Sequence, residues 1–290
     1  MEIEYRSAYF DDPAATASFE RCTKQIFGLD FGRWKARGLW HDRYRPFSAF
    51  VRGECVASMC VYPLDMIVGW KRVKGAQLLT VGTLPDYRSQ GIQRELWKRV
   101  RVWAEHECDF TFLFTDEAAA GFYERLGLRR QTEHSEMMRC PRPSAGSTRG
   151  FKKLDLDDDT QYAIVERLAR SREMVSHRVG FVNANLLLFM FLYVYRDLTF
   201  YIEDIDAVVV VGESGDRLRV HDVVASKMPC LSDLAPFLSS FKCDQVEFLF
   251  CTDRLGIDRP TRRKVEDSVL LVSDGFSLDG EFIFPYSIRA

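Results

Sequence analysis

The stretch Thr83-Leu84-Pro85-Asp86-Tyr87-Arg88-Ser89-Gln90-Gly91-Ile92-Gln93 holds the residue types in this chain best suited to chemistry. It joins a strand pattern rich in Leu, Val and Thr to an amphipathic helix pattern. Consecutive backbone N–H groups at such a turn, together with the positive end of the helix, form an anion site. Glycine at position 91 removes the Cβ that would keep a phosphate from the backbone. Between Arg88 and Arg101, five basic residues (Arg88, Arg94, Lys98, Arg99, Arg101) stand against one acid, Glu95. That balance suits a ligand with several phosphates; a solvated basic helix face is the plainer reading of the same charges.

A second stretch, Asp116-Glu117-Ala118-Ala119-Ala120-Gly121-Phe122-Tyr123-Glu124-Arg125-Leu126-Gly127-Leu128, follows the apolar run at 110–115. Together the two stretches resemble the GNAT superfamily of acyl-CoA-dependent N-acetyltransferases. Pro85, Arg88 and Gly91 match its first signature, R/Q-x-x-G-x-G/A after a strand ending in x-P. Ala119, Phe122, Tyr123 and Gly127 match its second, N-x-x-A-x-x-F/L-Y-x-x-x-G-F. The chain departs from the pattern at Gln93, where the first signature ends in Gly or Ala. It departs again at Asp116 in place of Asn and at Leu128 in place of Phe. Many members carry a Glu as general base on the strand before the phosphate loop; by count that position is Gln77, which cannot accept a proton.

The resemblance implies an α/β (α+β) fold with a mixed, largely antiparallel sheet and flanking helices. It also implies acetyl-CoA as co-substrate, an amine on a small molecule or peptide as acceptor, and direct transfer between them. Carried over by position, Thr83, Arg88, Ser89, Gln90, Gly91, Ile92, Gln93, Asp116 and Phe122 would bind the coenzyme. A strand N–H near Thr83 would polarise the thioester carbonyl. Tyr123 would protonate the leaving thiolate; its structural alternative is a core aromatic with a satisfied hydroxyl. The function read from this is N-acetyl transfer, and the rival is an acyl-CoA-binding regulatory protein that has lost turnover, which Gln77 and Asp116 favour.

Elements to position these residues are legible around them. Residues 3–10 read as a strand, 14–27 and 31–39 as helices, and 47–51 and 54–62 as strands joined by an Arg-Gly turn. After a hairpin near 69–74 comes a strand at 77–83. The helix that follows repeats Ile92, Leu96, Val100 and Ala104 at i+4. Residues 110–115 read as a strand buried on both faces, and 118–126 as a short helix stopped by Gly127. Residues 141–150, with two prolines, two glycines and two serines, read as a linker. Beyond it, strands at 151–156, 199–203, 207–213, 217–225, 245–251, 269–272 and 282–284 alternate with helices at 160–169, 183–195 and 231–241. The order is similar to that of the first half. The expected organisation is therefore a catalytic domain at 1–140, a linker, and a degenerate copy at 151–290. Ser226 to Leu231 carries no glycine and has Pro229 at the turn, so the copy should lack a coenzyme loop.

Other chemistries find little support. A net charge of −2 and a pI near 6.3 give no basic excess for a nucleic-acid partner. The longest apolar run, 186–195, is ten residues, about half of the ~20 needed to span a bilayer. No leader-like N-terminus is readable, so a cytoplasmic protein is expected. The eight cysteines form no C-x-x-C pair, and His41, His106, His134, His177 and His221 form no H-x-x-x-H, so no metal is expected. His41, in an aromatic stretch, is a candidate base or a packing histidine.

Overall fold

The computed structural model describes residues 2–40, 43–142 and 150–289. In chain order these form Glu4–Ser7 (β1), Pro13–Phe27 (α1), Gly32–Ala36 (α2), Arg45–Val51 (β2), Glu54–Val68 (β3), Lys71–Thr83 (β4), Ile92–Glu107 (α3), Phe110–Thr115 (β5), Glu117–Glu124 (α4), Arg129–Gln131 (β6) and His134–Arg139 (β7). Then follow Phe151–Lys153 (β8), Asp159–Ser171 (α5), Val179–Phe181 (β9), Ala184–Tyr193 (α6), Thr199–Ile202 (β10), Ala207–Ser214 (β11), Arg217–Ala225 (β12), Leu231–Leu238 (α7), Gln245–Phe248 (β13), Thr261–Lys264 (β14) and Val269–Val272 (β15). Most of the linker read at 141–150 lies outside the described residues.

The chain divides into two compact units. The first comprises Met1–Leu64, Lys74–Gln131 and Ser268–Ser277, and the second Asp65–Val73, Thr132–Asp267 and Leu278–Ala290. One sheet has the order β1-β2-β3-β4-β5-β15-β6, with β9 on the far end of β3; the other runs β14-β7-β13-β12-β11-β10-β8. The expected mixed α/β class is what forms. β4 and β5 are parallel, as are β12 and β13, and the remaining pairs of the second sheet are antiparallel. A hairpin, a helix and a parallel strand thus occur in that order in both units.

Local chemistry explains the elements around the first sheet. Asp12 caps α1 by accepting from the Ala14 and Ala15 N–H groups at 3.0 and 3.1 Å, Pro13 supplies the first turn, and Gly28 at φ 68° ends it. The β3–β4 hairpin turns on Gly69 and Trp70, both left-handed at φ 54° and 63°, as a tight two-residue connection requires. The α3 stripe Ile92, Leu96, Trp97 and Val100 packs on one sheet face with Phe47, Met59, Leu78 and Leu113. Against the other face of the unit, Phe19, Phe31, Trp34, Trp40 and Tyr44 form an aromatic cluster with ring centroids 4.8–6.4 Å apart.

Two expectations need correction. Residues 282–284 are buried but form no strand: the Phe284 N–H donates to the Glu133 carboxylate at 2.8 Å and the Ile283 N–H to the Cys251 sulfur at 3.4 Å, so side chains take the place of a ladder. Helix α7 stops at Leu238 rather than 241, two residues past Pro236.

In the second unit, Arg172 and Asp222 form a bidentate pair at 2.9 and 3.0 Å, with side chains 1% and 0% exposed. Removing one partner strands the other charge in the interior. Arg172→Met should therefore destabilise the protein by about 3–5 kcal/mol in urea unfolding. A loss under about 1 kcal/mol, the range of a surface pair, would show that Asp222 is solvated when alone.

Candidate active site

The site begins where two parallel strands part. β4 and β5 pair at Gly75 with Phe110, Ala76 with Thr111 and Gln77 with Phe112, and the ladder stops there. Residues 78–83 of β4 continue without β5 beside them, which leaves backbone groups along a parted edge. The continuation is bent. Thr80 adopts φ 49°, an unfavourable conformation for a β-branched residue, and such outliers persist only where surroundings hold them. The Tyr44 hydroxyl bonds the Thr80 hydroxyl, and Ser58 Oγ donates to the Thr80 carbonyl at 2.8 Å. Gly82 follows because the end of α1 presses on it: a Cβ there would meet Phe27 Cζ at 2.6 Å and Ile26 Cγ2 at 2.9 Å.

After Thr83 the chain makes one 3-10 turn at Pro85–Tyr87 and enters α3 through Ser89 at φ 61° and Gly91 at φ 79°. No side chain caps this helix, and its first backbone bond of the i→i−4 kind is Glu95 N–H to the Gly91 carbonyl at 3.1 Å. The N–H groups of Ile92, Gln93 and Arg94 thus remain at the positive end of a sixteen-residue helix. A Cβ on Gly91 would meet nothing within 4 Å of the protein itself; what demands glycine here is the left-handed backbone.

The long side chains of the loop hold the loop. Arg88 Nε donates to the Thr83 carbonyl at 3.2 Å and Gln90 Nε2 to the Asp86 carbonyl at 3.0 Å. Gln93, the departure at the end of the first signature, turns inward. Its Nε2 reaches the Gly82 carbonyl at 2.7 Å, the Thr83 hydroxyl at 3.0 Å and the Ser58 carbonyl at 3.1 Å, while its Oε1 is buried with no hydrogen-bond partner. It stitches the start of α3 to the bent end of β4.

These parts surround a cleft of about 710 Å³. Thr83, Arg88, Ser89, Gln90, Gly91, Ile92, Gln93, Phe122 and Tyr123 all line it. Asp116 does not: its carboxylate caps α4, accepting from the Ala119 N–H at 2.8 Å. Nor does Gln77, which is 1% exposed at the last rung of the ladder, its side-chain oxygen unpartnered. His41 lies outside the described residues. Ile26, Gly82, Arg94 and Arg125 also line the cleft and were not singled out as site residues from the sequence. Arg94 was visible as one of the basic residues of α3; Arg125 falls at an unspecified position of the second signature and Ile26 outside any motif, and only the fold brings them in.

Tyr123 is the group here with chemistry to offer. Its side chain is 8% exposed, its ring meets Phe122 edge-on at 5.0 Å, and its hydroxyl has no hydrogen-bond partner among the described residues. Burial, and then the charge of Asp116, push the hydroxyl up to about 12. It is a protonated phenol at neutral pH, able to donate.

Comparison with known proteins agrees with this geometry. Residues 10–128 match the acetyltransferase (GNAT) family. No curated protein sequence matches the chain. Among solved structures, a probable N-acyltransferase from Enterococcus faecalis is similar at TM-score 0.59 and 11% identity, over 93% of this chain and 72% of that one. A GCN5-related N-acetyltransferase from Anabaena variabilis is similar at TM-score 0.55 and 16% identity, with the same coverage. A putative acetyltransferase from Pyrococcus horikoshii is similar at TM-score 0.52 and 13% identity, over 99% of this chain and 94% of that one. Residues 10–128 are thus similar to the acetyltransferase (GNAT) family, and the chain shares the fold of these solved structures.

Proposed function

We propose that the protein transfers an acetyl group from acetyl-CoA directly to the amine of a small molecule or peptide, in the cytosol, at the cleft between β4, α3 and α4. The observation that carries this reading is the meeting in one cleft of a parted strand edge, an uncapped helix N-terminus and an unpartnered phenol. The N–H groups of residues 91–94 would receive the pyrophosphate, and Arg94 and Arg125 would add charge at the mouth. The free edge of β4 would pair the pantetheine chain and offer an N–H near Thr83 to the thioester carbonyl. The coenzyme supplies an activated acyl group on a thiolate leaving group. Tyr123 holds the proton that the departing sulfur takes up. Gln77 cannot act as base, so the acceptor's proton leaves through another group or water. We assign Asp116 a structural part, orienting α4 and through it Phe122 and Tyr123.

The second unit has a helix at the matching place after β12, and its N-terminus is closed. Cys230 and Asp233 form a reciprocal capping box, with the Asp233 carboxylate accepting from the Cys230 N–H at 3.1 Å, and the Leu231 N–H donates to the Leu255 carbonyl at 2.8 Å. A carboxylate there repels what the α3 terminus attracts. This supports a coenzyme-free second domain.

Three outcomes are expected. Gly91→Val forces a β-branched residue into a left-handed conformation beside the anion site, and should abolish acetyl-CoA binding by calorimetry with circular dichroism unchanged; intact affinity would remove the anion-site assignment. Tyr123→Phe should lower kcat by at least about tenfold, at or below the usual range for losing a positioned acid, with coenzyme affinity nearly unchanged. Wild-type turnover in that variant would exclude Tyr123 from proton transfer. Calorimetry on the full chain should give one coenzyme per chain; two equivalent sites would defeat the division of labour.

A further inference from the structure

Cys140 directly follows β7, and Cys243 lies just ahead of β13, 103 positions away in sequence. The β7–β13 ladder pairs Arg139 with Gln245, and the Cys140 N–H extends it by donating to the Asp244 carbonyl at 2.9 Å. That extra rung sets the two cysteines side by side. The Cys243 S–H donates to Cys140 Sγ at 3.2 Å, and the Cys140 S–H donates to the Leu238 carbonyl at 3.5 Å. Both thiols are half-buried, unlike Cys22, Cys55, Cys60 and Cys251, which are buried. They line a surface depression of about 740 Å³ with Arg139, Arg142, Lys242 and Asp244. Three cationic side chains against one carboxylate suit an anionic visitor.

We propose that Cys140 and Cys243 form a thiol–disulfide exchange site, which takes an anionic small-molecule disulfide of the glutathione class and closes to an intrachain disulfide. Cys243 loses its proton, and its sulfur attacks one sulfur of the small disulfide. A Cys243–reagent disulfide forms, and the first small thiolate leaves and takes up a proton. Cys140 then loses its proton and attacks Cys243 Sγ, expelling the second small thiol. Two protein thiols are oxidised by two electrons, and the small disulfide is reduced to two thiols. The two protein sulfurs need to close by only about 1 Å to reach bonding distance. Burial first, and then the Cys243 sulfur, push the Cys140 thiol up to about 12, which makes Cys243 the first attacker. Once Cys243 is in the mixed disulfide its share of that effect is gone, and Cys140 becomes the better nucleophile when its turn comes. The Leu238 carbonyl keeps the Phe241 N–H as a donor at 3.3 Å, so closure orphans no backbone group.

The test uses the full chain and oxidised glutathione at mildly alkaline pH, quenched by alkylation and read by intact mass and peptide mapping. The expected product is lighter by two hydrogen atoms, maps to a Cys140–Cys243 cross-link and reverts with dithiothreitol. Cys140→Ser should instead retain glutathione on Cys243. If the exposed Cys230 takes up glutathione while Cys140 and Cys243 both remain alkylatable, the proposal is overturned. Stable glutathione on both residues, with no loss of hydrogen, overturns it equally.

Discussion

A parallel ladder that ends after three residue pairs is the constraint on which the first unit depends. Buried backbone N–H and C=O groups are costly without partners, so two strands that part must be held apart and their loose backbone provided for. Here the provision is specific. Tyr44 and Ser58 hold Thr80 in its left-handed conformation, Gln93 takes the Gly82 carbonyl, and Arg88 takes that of Thr83. The uncapped α3 terminus opens on the same gap. Each device keeps the gap open without filling it with side chains, which is what a site for an extended ligand requires.

Legibility in the sequence followed range. Gly91, Phe122 and Tyr123 were readable because a left-handed turn before a helix and an aromatic pair after a buried strand are local patterns, and they fall where the pattern says. Asp116 was read as a coenzyme contact and caps its own helix. Gln93 read as a departure from the first signature and a coenzyme contact, yet its amide has three acceptors within reach once the chain folds, and none of them is inferable from neighbouring residues. Residues 282–284, Phe-Ile-Phe, are uniformly apolar as a buried strand would be, but the N–H groups of Ile283 and Phe284 meet Cys251 and Glu133, residues distant in sequence. β14, Thr-Arg-Arg-Lys, is fully exposed and polar and carries no hydrophobic signal, so pairing with β7 alone makes it a strand.

The helices that follow β4 and β12 show one scaffold with opposite electrostatics. Both stand between a hairpin and a parallel strand, so both begin at the same point of the topology. α3 enters through glycine and leaves its donors free; α7 enters through a cysteine and an aspartate that occupy them. The difference lies in a few side chains at a helix start, and it changes an anion-attracting terminus into an anion-repelling one without altering the order of elements.

β15 is antiparallel to β5 on one side and to β6 on the other, so residues 269–272 complete a sheet whose other strands, β9 apart, lie before residue 132. During synthesis, β5 and β6 leave the ribosome well over a hundred residues ahead of the strand that separates them. Until then the apolar β5 has an open edge, the kind of surface that invites pairing with other chains. Closing it is a contact of very long sequence separation, which slows folding. The nascent protein therefore cannot finish its first sheet and then add the second: every strand of the second sheet leaves the ribosome before the strand that closes the first, and quality control on the ribosome meets an unfinished first sheet throughout that interval.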